Sequence, residues 1–242
     1  MLTMDSVIKR KSVRKYEMTP LSDDVLREVK GFVGSLELPF TGKIECTILT
    51  KTEYDKRSGG MFNVSAPYYL MFFGDKEDDN VLRNIGFAGE LACLKLADMG
   101  IGTCWLGGPK SKEVLGDMGY VICICFGTPR EEFRKSENEA DRKSLKEIAE
   151  GYTAETEEMM RCVRLAPSAR NLQPWFFRCD GNLIHVFKVK TGGVMSKLAL
   201  FKMLQKIDIG IAISHFSIAN RFTVETLPQD GNCMNYECTL KF

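Results

Sequence analysis

The sequence predicts an α+β fold: a mixed sheet core surrounded by helices, built as two diverged halves. Three observations carry that prediction. Helical and strand periods run helix, strand, strand, helix, strand and then repeat that order, without the regular strand–crossover alternation of a doubly wound sheet. NIGFAGELACLKLADMG at 84–100 can be laid without gaps on KIDIGIAISHFSIANRF at 206–222, an offset of 122, with apolar residues at helical spacing in both. The chain has 242 residues, 44% of them hydrophobic, enough for one large domain or two closely packed halves. The halves are placed at 1–135 and 136–242, forming one compact unit.

Taken in order, LSDDVLREVKGF at 21–32 reads as a capped helix. Ser22 precedes acidic first-turn residues, and Val25, Leu26 and Val29 recur at helical spacing. IECTILT at 44–50 and APYYLMFFG at 66–74 read as strands, 84–100 as a helix with small residues that permit close packing, and GIGTCWLGG as a Gly-rich turn. VICICFG at 121–127 is a buried strand. The charged span from Thr128 to Tyr152 reads as a surface connection with one or two helices at most. A helix at 154–165, strands at 175–179 and 183–189, a turn containing Gly192 and Gly193, an apolar helix at 204–220 and strands at 223–227 and 236–240 complete the chain.

Composition excludes several classes. Lys and Arg total 33 against 32 Asp and Glu, so no global field favours nucleic acid, although local basic patches remain open. Nine cysteines without a CxxC pair or regular spacing read as reduced, buried thiols of a cytoplasmic protein. The opening MLTMDSVIKRKSVRKY lacks the apolar core of a signal peptide, and no apolar run reaches the roughly 20 residues needed to span a bilayer.

Two stretches offer binding chemistry. In VIKRKSVRKY an extended backbone would point Arg10, Ser12 and Arg14 to one side, where guanidinium forks and a hydroxyl suit a phosphate; a solvated basic start is the plain alternative. In APSARNLQPWFF, Pro167 and Pro174 fix a turn carrying Ser168, Asn171 and Gln173, with Trp175 as an apolar face. Carboxamides donate and accept, so the set fits a planar heterocycle with a polyol tail, or else satisfies the loop's own backbone. His185 and His215 lie apart from any metal-ligand spacing, and neither HExxH nor GxSxG occurs. Cys104 has no evident activating base and reads as packing. GIGTCWLGG lacks the Lys-Ser/Thr of a phosphate-binding P-loop.

Together RKSVRKY, GIGTCWLGG and APSARNLQPW resemble the FMN-dependent nitroreductase family, particularly its shorter thermophile-type branch, across most of the chain. The resemblance implies that Arg10, Lys11, Ser12 and Arg14 hold the FMN phosphate. It implies that Pro167, Ser168, Asn171 and Gln173 contact the ribityl chain and ring, and that Leu106, Gly107 and Gly108 pass near flavin N5. Arg142 and Lys143 resemble a later basic pair that closes on phosphate, while RKSLKE at 142–147 also echoes RKSVRKY. No protein side chain is then needed as a catalyst.

The implied activity moves reducing equivalents from NADH or NADPH through FMN to a nitroaromatic, quinone or related small molecule. A specialised flavin reductase or dehydrogenase, or a flavin-storage protein, is the alternative. Ordinary members carry the PSxxNxQPW-like segment before the GTCW-like turn; here the early region reads GFVGSLELPF and the intact version comes only at 166–175. The halves therefore resemble a fused pseudo-dimer with one good site, either monomeric or a homodimer.

Overall fold

The computed structural model describes residues 2–59, 64–189, 198–226 and 235–242. Its helices are α1 (Met4–Lys9), α2 (Asp23–Gly34), α3 (Lys51–Arg57), α4 (Asp79–Asp98), α5 (Leu145–Ile148), α6 (Ala154–Arg164) and α7 (Ala199–Ala219). Its strands are β1 (Glu45–Thr50), β2 (Ser58–Gly59), β3 (Tyr68–Gly74), β4 (Gly102–Leu106), β5 (Lys110–Ser111) and β6 (Val114–Leu115). They continue with β7 (Met118–Gly127), β8 (Ala149–Glu150), β9 (Trp175–Asp180), β10 (Leu183–Lys188), β11 (Thr223–Glu225) and β12 (Asn235–Lys241).

Among the described residues the sheet core divides into two five-stranded sheets, with the small pair β2–β5 apart from them. The first runs β1-β3-β7-β4 with β6 on β7, and all its pairs are antiparallel. The second runs β11-β12-β10-β9-β8 and is antiparallel except where β8 meets β9. Short connections dictate this: β9 and β10 are joined through Gly181, at φ 57, and Asn182, a reversal that only antiparallel strands allow.

The apolar run of β7 has a physical reason. Ile122, Ile124 and Phe126 face the main core, while Cys123 and Cys125 face a smaller core with Tyr16, Tyr54, Tyr69 and Met71 on the other side of the sheet. A strand buried on both faces needs no polar alternation. GIGTCWLGG is not simply a turn, since Gly102–Leu106 forms β4 beside β7. The charged span holds only α5, a 3-10 turn at Glu137–Glu139 and β8. The turn containing Gly192 and Gly193 lies outside the described residues, as does Leu227.

Helices α4 and α7 form the centre. Both start five residues before the apolar pattern does; α4 is capped by Asp78, whose carboxylate accepts from the Asn80 and Val81 N–H groups. Their backbones touch. A Cβ added at Gly86 would lie 2.0 Å from the Ile207 carbonyl oxygen, and one added at Gly210 would lie 2.0 Å from that of Arg83. Gly86 and Gly210 are 124 residues apart, as are Arg83 and Ile207, so the contact is reciprocal.

This corrects the repeat offset from 122 to 124. An apolar helix buried on nearly every side has no strong phase in its pattern; only the glycines at the contact mark the register. The same offset relates Asn84 to Asp208. Asn84 Oδ1 accepts the Phe40 N–H at 3.1 Å, and Asp208 Oδ1 accepts the Ala169 N–H at 2.9 Å. Asn84 also donates to the carbonyls of Phe40, Thr41 and Gly42. Asp208 lacks that freedom, and burial pushes its carboxyl up to about 8 against a single opposing hydrogen bond.

Two predictions follow from this centre. Gly86→Ala and Gly210→Ala should each cost about 2–3 kcal/mol in denaturant unfolding by forcing backbones apart, whereas Gly31→Ala, with nothing within 4 Å, should be neutral or stabilising by up to ~1 kcal/mol. Equal effects at the three sites would contradict the contact. Asp208 binds its proton more tightly folded than at its ordinary 3.8, so its contribution drains away as pH rises from about 4 to about 8 and is flat beyond. Asp208→Asn removes that titration, so its Tm should gain on the parent's through that window; parallel curves would refute the assignment.

Candidate functional site

The segment after α1 is fastened to β4. Ser12 bridges Thr103 in parallel, the Val13 N–H donates to the Thr103 carbonyl at 2.9 Å, and Gly102 has no Cβ to collide with Val13. Arg10, Val13 and Tyr16 are buried while Ser12 is half-buried and Arg14 exposed. That is the three-residue period of a polyproline-like run, so the three motif side chains do not share one face.

Arg10 turns into the core, 1% exposed, with Nε 2.9 Å from Glu90 Oε1. The N–H is not aligned on that oxygen, and Nη2 is buried without a hydrogen-bond partner among the described residues; the contact is an ion pair that leaves donors unfilled. Glu90 lies one turn beyond Gly86 on α4. It also accepts from Trp105 Nε1 at 2.8 Å and from His215 Nε2 at 3.1 Å, and Gly89 leaves room for the Trp105 ring. The other His215 nitrogen faces the Cys162 carbonyl at 2.9 Å. Each imidazole nitrogen thus lies within hydrogen-bond reach of an oxygen, which fixes the ring between α6 and α4. Burial works against an ionised Glu90, yet Arg10 and His215 outweigh it and hold the carboxyl below its usual range.

Two further guanidiniums stand near Arg10. Arg134 donates to the carbonyls of Val7, Ile8 and Arg10 at the end of α1. Arg142 donates to the carbonyls of Ala166 and Asp141 and to Asn171 Oδ1, each at 2.8 to 2.9 Å. Burial first, and then the charge of Arg10, lowers each of them to about 10. Among the described residues, the buried Arg10, Arg134 and His215 and the half-buried Arg142 gather around one carboxylate, Glu90; Asp141 stands exposed at the rim.

The turn at 166–173 is strained and tightly held. Arg170, Asn171 and Gln173 have φ of 55, 57 and 48, left-handed conformations that cost non-glycine residues of order 1 kcal/mol or more each. Ser168 Oγ accepts the Gln173 N–H at 2.8 Å, Asp208 holds Ala169, and Lys143 Nζ donates to the Leu172 and Gln173 carbonyls. Gln173 Oε1 accepts the Lys143 N–H at 2.9 Å, and Asn171 Nδ2 donates to the Asp141 carbonyl. Both carboxamides thus tie the turn to residues 141–143. Pro167 is buried behind it. Trp175 is fully buried in the main core, so its face is not open to a ligand.

At the far end of β4, Leu106 is buried, and Gly107 and Gly108 line an open cavity of about 1690 Å³. Gly107 packs on Leu204, one turn before Asp208 on α7. Strand β4 therefore connects Ser12 to Gly107, and α7 connects Gly107 to the 166–173 turn. Lys11 stands apart, paired with Glu131 at 2.7 Å; the exposed Arg14 has its N–H near the same carboxylate. Cys104 is buried as packing, its thiol lowered by a hydrogen bond from Cys125 against the effect of burial.

Sequence reasoning missed Glu90, Arg134 and Asp208, and set His215 aside as lacking metal-ligand spacing. The signal for two of them was present, a lone carboxylate in each of the apolar runs GFAGELACL and IDIGIAIS. Among the described residues no group of three or more His, Cys, Asp or Glu is placed to hold a metal, and no helix is long and apolar enough to cross a membrane.

No curated protein matches the chain. Among solved structures it resembles one described as a putative nitroreductase from Thermotoga maritima MSB8, 22% identical with a TM-score of 0.65, over 99% of this chain and 92% of that one. A nitroreductase family protein of Clostridium difficile 630 is 16% identical with a TM-score of 0.51, over 63% of this chain and 99% of that one. An FMN-dependent nitroreductase of Clostridium difficile R20291 is 17% identical with a TM-score of 0.47, over 62% and 100%. These likenesses concern shape alone, and the second of them suggests two halves, since a whole nitroreductase chain spans under two thirds of this one. The model of the family described as Putative TM nitroreductase matches residues 3–220, and the chain belongs to that family.

Proposed function

We propose that the chain is an FMN-dependent oxidoreductase passing reducing equivalents from NADH or NADPH to a nitroaromatic, quinone or related small molecule. One observation carries the reading: three guanidiniums gathered beside the 166–173 turn with a single buried carboxylate among them. Like charges depress one another there, and an arriving phosphate dianion relieves that repulsion. Arg10 Nη2, without a hydrogen-bond partner among the described residues, is a donor suited to an acceptor, so the residues fit an FMN phosphate.

When bound, FMN supplies hydride acceptance and donation. The chain's residues do the rest. Arg10, Ser12 and Arg142 hold the phosphate end, with Arg134 adding charge while its own N–H groups stay on the α1 carbonyls. Asn171 and Gln173 exchange their present partners for polar ring and ribityl atoms, on a turn already bent to its working shape. Gly107 and Gly108, lacking Cβ, let the backbone approach the ring. On this reading 1–135 and 136–242 are the fused halves, residues 10–14 from one and 166–173 from the other complete one site, and no second copy is needed for it.

The test is to load the purified chain with FMN, count flavin per chain, and follow anaerobic bleaching by NADH and NADPH before adding menadione or a nitroaromatic. One flavin that bleaches and reoxidises is expected. A chain that takes up no flavin overturns the reading, and flavin that neither nicotinamide reduces favours storage. Arg142→Ala should weaken FMN about 10- to 100-fold through a lost charge-assisted phosphate contact; unchanged affinity would remove its role. Arg10→Ala is a poorer probe, since stranding Glu90 costs about 3–5 kcal/mol of folding by itself.

A further inference from the structure

Resting on the oxidoreductase reading, we propose that the cavity beside Gly107 and Gly108 is a polyanion site that selects NADPH over NADH as the electron donor. The cavity lies between the 107–113 loop and the first turns of α7. Its described lining carries eight Lys and Arg against three Asp and Glu, a net of five positive charges in a chain whose whole formal charge is +1. Surface charge is therefore far from evenly spread.

Most of this charge is not neutralised locally. Arg57 stands 3.6 Å from Glu113. Lys206 is 2.7 Å from Asp79 and 2.9 Å from Glu237, but Glu237 also serves Arg83 and, at 3.9 Å, Lys188. One buried carboxylate thus answers three cations. Burial, followed by repulsion from Lys206, lowers the Lys188 ammonium. The other five, Lys56, Lys76, Lys110, Lys112 and Lys202, make no ion pair among the described residues. Lys76 lies 6.0 Å from the Tyr120 ring centroid.

Leu82, Tyr120, Val121 and Met203 give the cavity apolar wall, which suits a base or a nicotinamide ring. Low-dielectric walls focus the field of the lysines into the opening. Lysine is a flexible point charge rather than a planar fork, matched to phosphates on a mobile chain more than to one fixed carboxylate. Both dinucleotides carry a pyrophosphate; only NADPH adds a phosphate monoester of about −1.5 to −2 charges. A surplus of unpaired lysines rewards that extra group.

The experiment uses the full chain loaded with FMN. Calorimetric binding of NADP⁺ and NAD⁺, which needs no turnover, is compared at low and high salt and beside the bleaching rates with NADPH and NADH. NADP⁺ should bind at least about tenfold tighter at low salt, with the margin shrinking as salt screens the lysines. Lys110→Gln with Lys202→Gln, both exposed and remote from the phosphate cluster, should cut the margin about threefold to tenfold without releasing FMN. Equal affinities, or an unchanged margin in the double variant, overturn the proposal. A chain that takes up no FMN instead sinks the oxidoreductase reading, and the NADP⁺ comparison on that chain still decides whether the cavity selects the extra phosphate.

Discussion

The backbone contact between α4 and α7 sets the geometry around the candidate site. With Gly86 and Gly210 at the crossing, Glu90 and His215 just beyond them come within 3.1 Å, and Lys206 reaches Asp79 and Glu237. Asp208 takes hold of Ala169, and Leu204 lies against Gly107. Glu90–His215 and Lys206–Asp79 join the two helices directly, and the others tie α7 to β12, the 166–173 turn and the end of β4. A methyl group at either glycine would lever the helices apart and lengthen the contacts that span them. Packed interiors transmit such a displacement rather than absorbing it.

The charge pattern follows from that packing. Glu90 is stable as an anion only because Arg10, His215 and Trp105 converge on it, and such a buried set adds little net stability while costing much if broken. Its larger consequence is imbalance: the cations gathered around Glu90 outnumber it, and Arg134 and Arg142 are lowered by burial first and then by the charge of Arg10. A ligand that binds only the folded chain and brings negative charge removes that repulsion, so its binding also stabilises the fold. Strand β4 runs from this cluster to the cavity at Gly107, which collects positive charge of its own. The two ends differ in kind. One is buried, arginine-rich and geometrically fixed; the other is open, lysine-rich and adaptable.

The longer strands and helices α2 and α6 were legible because their signals are local, whereas α1, α3 and the two-residue strands were not read from the sequence. Ser22 does accept from the Val25 N–H at the start of α2, and the span of α6 matched its amphipathic pattern to within a residue. The central helices were legible as helices but not in phase, since burial on nearly all sides erases the polar stripe that would fix a register. For the turn at 166–173, the sequence showed which residues are polar but not that Asn171 and Gln173 are engaged by Arg142 and Lys143, a partnership set by tertiary folding. The buried Glu90 network was hidden for the same reason: Arg10, Glu90, Trp105 and His215 are far apart in sequence, and no spacing rule connects them.

Asn84 and Asp208 show how the duplicated halves, on the proposed reading, came to differ. In a symmetric dimer every substitution appears at both sites, so neither loop can change alone. Fusion removes that constraint. Asn84 closes the Phe40–Gly42 loop with donors and an acceptor together, a self-sufficient polar unit with nothing left to offer a ligand. Asp208 makes one backbone contact and keeps a proton that burial favours. The strain is divided the same way: among the described residues, the non-glycine residues with positive φ are Arg170, Asn171 and Gln173, all in the turn that Asp208 supports. Strain persists where surrounding structure over-determines it, and here four separate anchors, Ser168, Asp208, Arg142 and Lys143, do so. On the proposed reading, the loop that Asn84 closes serves as scaffold, and the turn that Asp208 supports retains the conformational cost that a binding loop requires.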